Sequence, residues 1–147
     1  MERGIHIRPA TPVDAPTLTR CIDAAYASYI AEGLDLPPVS DGVAQDIQDH
    51  VVLVAQADGA VVGGAILSVT GGTAHLMNLF VDPEHTGRKI GSLLLQSVTD
   101  VARAAGHTRM RLATHRDMPR NVSYYQRRGW QVSGSEDVRI FMEIDLT

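Results

Sequence analysis

The stretch that most restricts the fold is Asn78 to Gly106, NLFVDPEHTGRKIGSLLLQSVTDVARAAG. Leu79, Phe80 and Val81 are apolar and suited to a buried strand. Asp82-Pro83 stops that strand, because proline has no N–H for a ladder. Ile90, Leu93, Leu94, Ser97, Val98, Val101, Ala102 and Ala105 then recur at spacings of three and four, the period of one helical face. Gly106 is a helix stop. A strand that enters a helix through a glycine-bearing turn leaves the first helical amides without intrahelical acceptors, and the helix dipole adds positive potential there. Gly87 and Gly91 bracket Arg88, Lys89 and Ile90 in that turn. Two readings follow from spacing alone: an anion site suited to phosphate, or a solvated basic turn.

Known nucleotide motifs do not fit. GxxxxGK followed by Ser or Thr is absent, as is GxGxxG. VDPEHTGRKIGSLLL instead resembles the acetyl-CoA-binding segment of the GNAT superfamily of acyl-CoA-dependent N-acyltransferases, V-x-P-x-x-Q/R-G-x-G-I/L-G-x-x-L-L. Val81, Pro83, Gly87, Ile90, Gly91, Leu94 and Leu95 match. Thr86 stands where Gln or Arg is usual, and Lys89 where Gly is usual. The resemblance implies that backbone amides over Thr86, Gly87, Arg88, Lys89, Ile90, Gly91 and Ser92 hold the CoA pyrophosphate. It also implies that Leu79, Phe80 and Val81 pair with the pantetheine arm through N–H and C=O groups, as an added strand would. A lysine at position 89 suits that turn only where its φ need not be positive.

The charge distribution bears on both readings. The 147 residues carry a net charge of −4. Residues 1–85 hold three basic and eleven acidic side chains, a net of −8; residues 86–128 hold nine and two, a net of +7; residues 129–147 hold one and four, a net of −3. A basic middle suits a polyanion such as CoA, and an acidic remainder suits a cationic amine. Taken singly, most of these charges are expected to be solvated faces. The acidic total and the apolar interruptions of the arginines argue against nucleic acid. Apolar residues make up 44% and charged residues 20%, an ordinary globular balance. No run reaches the ~18 apolar residues of a membrane span, and MERGIHIRPA has no signal core, so the expected location is the cytoplasm. The single Cys21 has no disulfide partner within the chain and is expected to be a small buried apolar residue.

The rest of the chain reads as one α/β domain over residues 1–147. A strand is expected over Gly4 to Ala10, and a helix over Pro12 to Ile30 capped by Thr11 or Asp14, its stripe Leu18, Ile22, Ala25, Tyr26, Tyr29 and Ile30. AEGLDLPPVS is a loop by composition. A short helix capped by Ser40 or Asp41 carries Val43, Ala44, Ile47 and His50. Val51 to Ala57, Val61 to Thr70 and Thr73 to Val81 form a meander, with Asp58-Gly59 as its first turn and Gly63-Gly64 as a bulge or close approach. After the long helix come a strand over His107 to Thr114, parallel to the last meander strand, a helix over Pro119 to Arg128, and strands Trp130 to Val132 and Val138 to Leu146 around a turn at Ser133 to Asp137. The order β-α-α-β-β-β-α-β-α-β-β, a mixed central sheet flanked by helices, is that of the GNAT-like fold.

A second segment, NVSYYQRRGW, resembles the family's N-x-x-x-Y-x-K/R-x-G-aromatic motif at Asn121, Tyr125, Arg127, Gly129 and Trp130. The resemblance implies that Tyr125 is the general acid for the leaving CoA thiolate and that Asn121 contacts the pantetheine arm or orients Tyr125. Tyr124 is expected to pack. The family often places a glutamate base on the third or fourth strand, and this chain has no acid between Thr73 and Val81. His75 and His115 are the candidate bases, directly or through water, against the commoner role of a structural histidine. Tyr26 and Tyr29 are candidate walls for the acceptor, with Glu32 and Asp35 as ammonium partners; Arg139 could instead meet an acid. Six histidines without metal-ligand spacing and one cysteine give no metal site. The expected function is transfer of acetyl from acetyl-CoA to a primary amine of a small molecule or peptide. The rival is a non-catalytic acyl-CoA-binding regulatory module. A homodimer is left open.

Overall fold

The structure, a computed structural model, describes residues 4–34 and 41–147. Its strands form a seven-stranded mixed sheet in the order β1-β2-β3-β4-β5-β7-β6, with flanking helices. The chain divides into two compact units, Met1–Leu67 with Asn78–Val98, and Ser68–Met77 with Thr99–Thr147. The backbone crosses from one to the other at the end of β3 (Ala60–Ser68), within β4 (Ala74–Val81) and within α3 (Ile90–Ala104).

In the first unit β1 (Ile5–Pro9), β2 (Val51–Ala57) and β3 (Ala60–Ser68) pair antiparallel in sequence. Asp58 and Gly59, at φ 53° and 86°, make the β2–β3 turn. Both values are positive, which matches the right-handed twist of the hairpin. Between β1 and α1 (Ala15–Ala31) lies a 3₁₀ turn, Pro12–Asp14. Asp14 reaches back to accept from the Thr11 N–H at 2.7 Å and takes two Arg8 hydrogen bonds at 2.8 and 2.9 Å. It therefore locks β1 to the turn rather than capping α1 with its side chain.

Leu18, Cys21 and Ile22 of α1 and Val43 of α2 (Val43–Asp49) pack on Val52, Val54, Ile66 and Phe80. Complete burial of Leu18 and Ile22 contributes about 1.5–3 kcal/mol each. Ile30, expected in that stripe, is 55% exposed. The cap of α2 is Gly42 at φ 81°, not Asp41, because the chain enters the helix from the left-handed region; Ser40 lies outside the described residues.

The glycine pair in β3 decides where β4 can run. A Cβ on Gly63 would stand 2.7 Å from the Phe80 carbonyl oxygen, and one on Gly64 would stand 2.8 Å from the Phe80 ring. The next neighbours are Leu94 of α3 for Gly63 and Leu18 of α1 for Gly64, so the two helices cover opposite faces of the sheet here. The β2–β3 register also shifts beside Gly63, so close approach and bulge both occur.

In the second unit β4 pairs parallel with β5 (Arg109–His115) at Ala74↔Met110 and His75↔Arg111. β5 then pairs antiparallel with β7 (Arg139–Asp145), and β7 with β6 (Gln131–Glu136). The turn is narrower than the Ser133 to Asp137 expected from composition. Ser133-Gly134-Ser135 looks like a turn, yet the ladder absorbs it through a register shift and the reversal falls at Asp137, φ 56°. The helix α4 (Pro119–Gln126) ends two residues early. Met110, Leu112 and Met142 face inward, with Leu76 and Ala74, while His75, Arg109 and Arg111 lie on the exposed alternate face.

Candidate functional site

In the first unit the strand end, the turn and the start of α3 form one continuous structure. The Asp82 N–H donates to Val62 O at 2.8 Å, which fastens the end of β4 to β3. The Asp82 carboxylate then accepts from the Glu84 N–H at 3.0 Å and caps a 3₁₀ turn, Pro83–His85. That turn escaped sequence reading, although Asp-Pro before a short polar run is its signal. The Thr86 hydroxyl donates back to Pro83 O at 3.2 Å. The departure from Gln or Arg thus serves the turn itself. Arg88 donates to His85 Nδ1 at 3.3 Å, which orients its guanidinium within the loop.

Gly87 has φ 84° and Lys89 φ 62°, and α3 begins at Ile90. The condition set by the sequence is not met: the turn does need a positive φ at position 89, and the lysine adopts the left-handed backbone that a glycine would ordinarily take, at a steric cost. The Leu93 N–H donates to Lys89 O at 3.1 Å, so the amides of Ile90 and Gly91 precede the first intrahelical bond and have no acceptor further back in the helix. Alternation of φ sign at a helix N-terminus gathers amides into an anion-binding concavity. Of the acceptor candidates, Tyr26 donates to Asn78 Oδ1 on β4 at 3.1 Å and stacks obliquely with Tyr29 at 6.5 Å. Burial pushes the Tyr26 phenol pKa up, so it stays a neutral donor. Glu32 caps the end of α1, is exposed, and makes no ion pair among the described residues. Asp35 lies outside the described residues.

In the second unit the Asn-Tyr-Gly-Trp spacing has a structural cause. Gly129 at φ 95° reverses the chain after α4, so that the Trp130 N–H reaches Tyr125 O at 3.1 Å. Trp130, 3% exposed, then sets its ring edge-on to Tyr125 at 5.5 Å. Tyr124 also meets Tyr125 edge-on at 5.3 Å, with the Arg128 guanidinium 3.6 Å above the Tyr124 ring. Tyr124 packs, as expected, and among the described residues its buried hydroxyl has no hydrogen-bond partner. Asn121 donates to Thr114 Oγ1 at 3.3 Å and so ties α4 to the end of β5.

The two histidines differ. His115 Nδ1 accepts the Asp117 N–H at 3.0 Å, which leaves its proton on Nε2, the nitrogen that could otherwise face a substrate. His75 lies on the exposed face of β4 opposite Arg111. Partial burial of the imidazole, and then the Arg111 charge, lower its pKa and favour the neutral, proton-accepting form. Among the described residues no three His, Cys, Asp or Glu side chains are grouped to hold a metal, and no helix is long and apolar enough to cross a membrane. The Cys21 thiol is buried, and burial raises its pKa.

Comparison with known proteins places these features among relatives. The pattern of the acetyltransferase (GNAT) family matches residues 20–130, a span that includes both motifs. The chain is 30% identical over 95 residues to the spermidine N(1)-acetyltransferase of Thermoplasma acidophilum, covering 65% of this chain and 59% of that protein. It is 33% identical over 125 residues to the IAA acetyltransferase of Azospirillum brasilense, covering 76% and 82%. The chain therefore spans less than two thirds of the spermidine enzyme's length. Among solved structures it is similar to the PaiA N-acetyltransferase of Thermoplasma acidophilum in complex with coenzyme A, with a TM-score of 0.82, 26% identity, and 96% and 98% of the two chains covered.

Proposed function

The chain belongs to the GNAT acetyltransferase family, and on that premise we propose that it transfers an acetyl group from acetyl-CoA to a primary amine, as one domain over residues 1–147. The observation that carries this reading is the turn from Thr86 to Gly91, where the Gly87 and Lys89 backbones turn left-handed immediately before the amides that open α3. In this reading those amides, with Arg88 and Lys89, take the pyrophosphate, and the backbone of Leu79 to Val81 pairs with the pantetheine amides. Asn121 positions the arm beside Tyr125.

The reaction is a direct displacement. The neutral amine attacks the thioester carbonyl carbon, the C–S bond breaks, and the thiolate takes its proton from the Tyr125 hydroxyl. The nitrogen loses its extra proton to His75, directly or through water, leaving the amide and free CoA. His75 is favoured over His115 because the Asp117 N–H holds the Nδ1 lone pair of His115. A reducing cytoplasm suits the single buried thiol.

The test is thiol release from acetyl-CoA over an amine panel, with acetyl-CoA binding measured alongside. Tyr125→Phe is expected to lower kcat by about 10²-fold with little change in acetyl-CoA affinity. His75→Ala is expected to lower kcat near neutral pH by about tenfold. Unchanged kcat in Tyr125→Phe removes the assigned acid, and normal His75→Ala turnover over about pH 6–9 removes the base. Acetyl-CoA binding with no turnover on any amine favours the regulatory-module reading instead.

A further inference from the structure

The alternate face of the sheet in the second unit has a chemistry that neither motif uses. Residues of one parity, Met110, Leu112 and Met142, are buried, and Thr114 on the same side meets Asn121 of α4. Residues of the other parity stay open and run across three strands. His75 of β4 stands opposite Arg111 of β5, which stands opposite Glu143 of β7; Arg109 stands opposite Asp145 on the same face. The Glu143 carboxylate is shared, with Oε1 3.5 Å from Arg109 Nη1 and Oε2 3.4 Å from Arg111 Nε. Asp145 is occupied by the Thr147 N–H and hydroxyl at 2.8 and 2.6 Å. The nearest approach of Arg111 to Glu143 is thus through Nε, and among the described residues its terminal Nη pair, the fork that grips a carboxylate, makes no hydrogen bond.

We propose that this face binds an acceptor that carries a carboxylate as well as its amine: Arg111, supported by Arg109, holds the carboxylate beside His75, and the acceptor is of the amino-acid class rather than a polyamine. This rests on the transferase reading and on His75 facing the amine. Neighbouring strands lie about 4.8 Å apart, so a carboxylate at Arg111 and an amine at His75 are a few bonds apart in one small molecule. The fork geometry of guanidinium matches a carboxylate in two parallel hydrogen bonds. The Arg111 charge also favours the neutral form of an amine placed at His75, the form that attacks. A polyamine would bring further ammonium groups against two guanidiniums that share one carboxylate.

The experiment measures kcat/KM by thiol release for three matched acceptors, tyrosine, tyrosinamide and tyramine, and for spermidine, on the wild-type chain and on Arg111→Gln and Arg111→Lys. Folding of each variant is checked by circular dichroism. The wild type is expected to prefer tyrosine over tyramine by about 10–100-fold, mostly through KM. Arg111→Gln is expected to bring that ratio close to one, and Arg111→Lys to restore part of it. Preference for spermidine or tyramine, or a ratio that survives in a folded Arg111→Gln, overturns the inference while leaving the transferase reading intact. Absence of thiol release with every acceptor overturns both.

Discussion

Lys89→Gly tests the loop at the point where backbone and charge pull in opposite directions. Lys89 holds φ 62°, where a side chain crowds the following carbonyl at a cost of about 1–2 kcal/mol. Glycine removes that crowding but loses more backbone entropy on folding, about 0.5–1 kcal/mol. The net expectation is a gain of about 0.5–1 kcal/mol, a Tm rise of about 1–4 °C for a domain of this size. Lys89→Ala keeps a Cβ in the left-handed region and is expected to leave Tm close to wild type. Both variants lose an exposed ammonium beside the proposed phosphate site. Each should therefore weaken CoA binding by about 2–5-fold at low ionic strength, with the difference fading in high salt. Thermal scans of the free protein and CoA titrations at two salt concentrations read the two effects separately. If the glycine variant is no more stable than the alanine variant, the backbone at position 89 is not under the strain assigned to it. If neither loses CoA affinity, the lysine charge has no part in the site.

Two further substitutions probe the scaffold. Gly63→Ala puts a methyl 2.7 Å from the Phe80 carbonyl oxygen and 3.3 Å from Val81 Cα, both backbone atoms, so β4 must shift. It should cost about 1–3 kcal/mol and, if the proposed Phe80–Val81 rail holds the pantetheine arm, lower acetyl-CoA affinity; a wild-type Tm and affinity would show that the strand has room. Asp14→Asn breaks the Arg8–Asp14–Thr11 lock. Arg8 hydrogen bonding, against the opposing effect of burial and with help from the Thr11 N–H, lowers the Asp14 pKa from 3.8 to about 2. A folded pKa below the unfolded one contributes stability that is present above the unfolded value and is lost as pH falls toward about 2. The shift corresponds to about 2 kcal/mol. Urea unfolding should show a deficit of that size for the variant near neutral pH that closes near pH ~2; a deficit unchanged by acid would mean the lock is not ionic.

The long-helix period, the Asp-Pro stop, the meander and the parallel β4–β5 crossover were legible because each rests on local spacing. The Gly-Trp pair after Tyr125 was legible as a motif, and its cause, the reversal at Gly129 that seats Trp130 on Tyr125, is local too. Where turn composition and strand pairing competed, composition misled: Ser133-Gly134-Ser135 is held in a ladder because β7 supplies the partner. Ile30 followed the helical period yet lies exposed, since the period cannot say where the stripe ceases to meet a sheet.

The chain alone determined the elements, their order and the two family motifs, because apolar period and glycine position act over a few residues. Only the tertiary structure decided the chemistry that depends on register. It put Lys89 in the left-handed region and spent the His115 Nδ1 lone pair on the Asp117 amide. It also set His75 opposite Arg111 and Arg111 opposite Glu143, three residues separated by 36 and 32 positions. No periodicity links residues so far apart; the strand pairing that does is a property of the folded sheet.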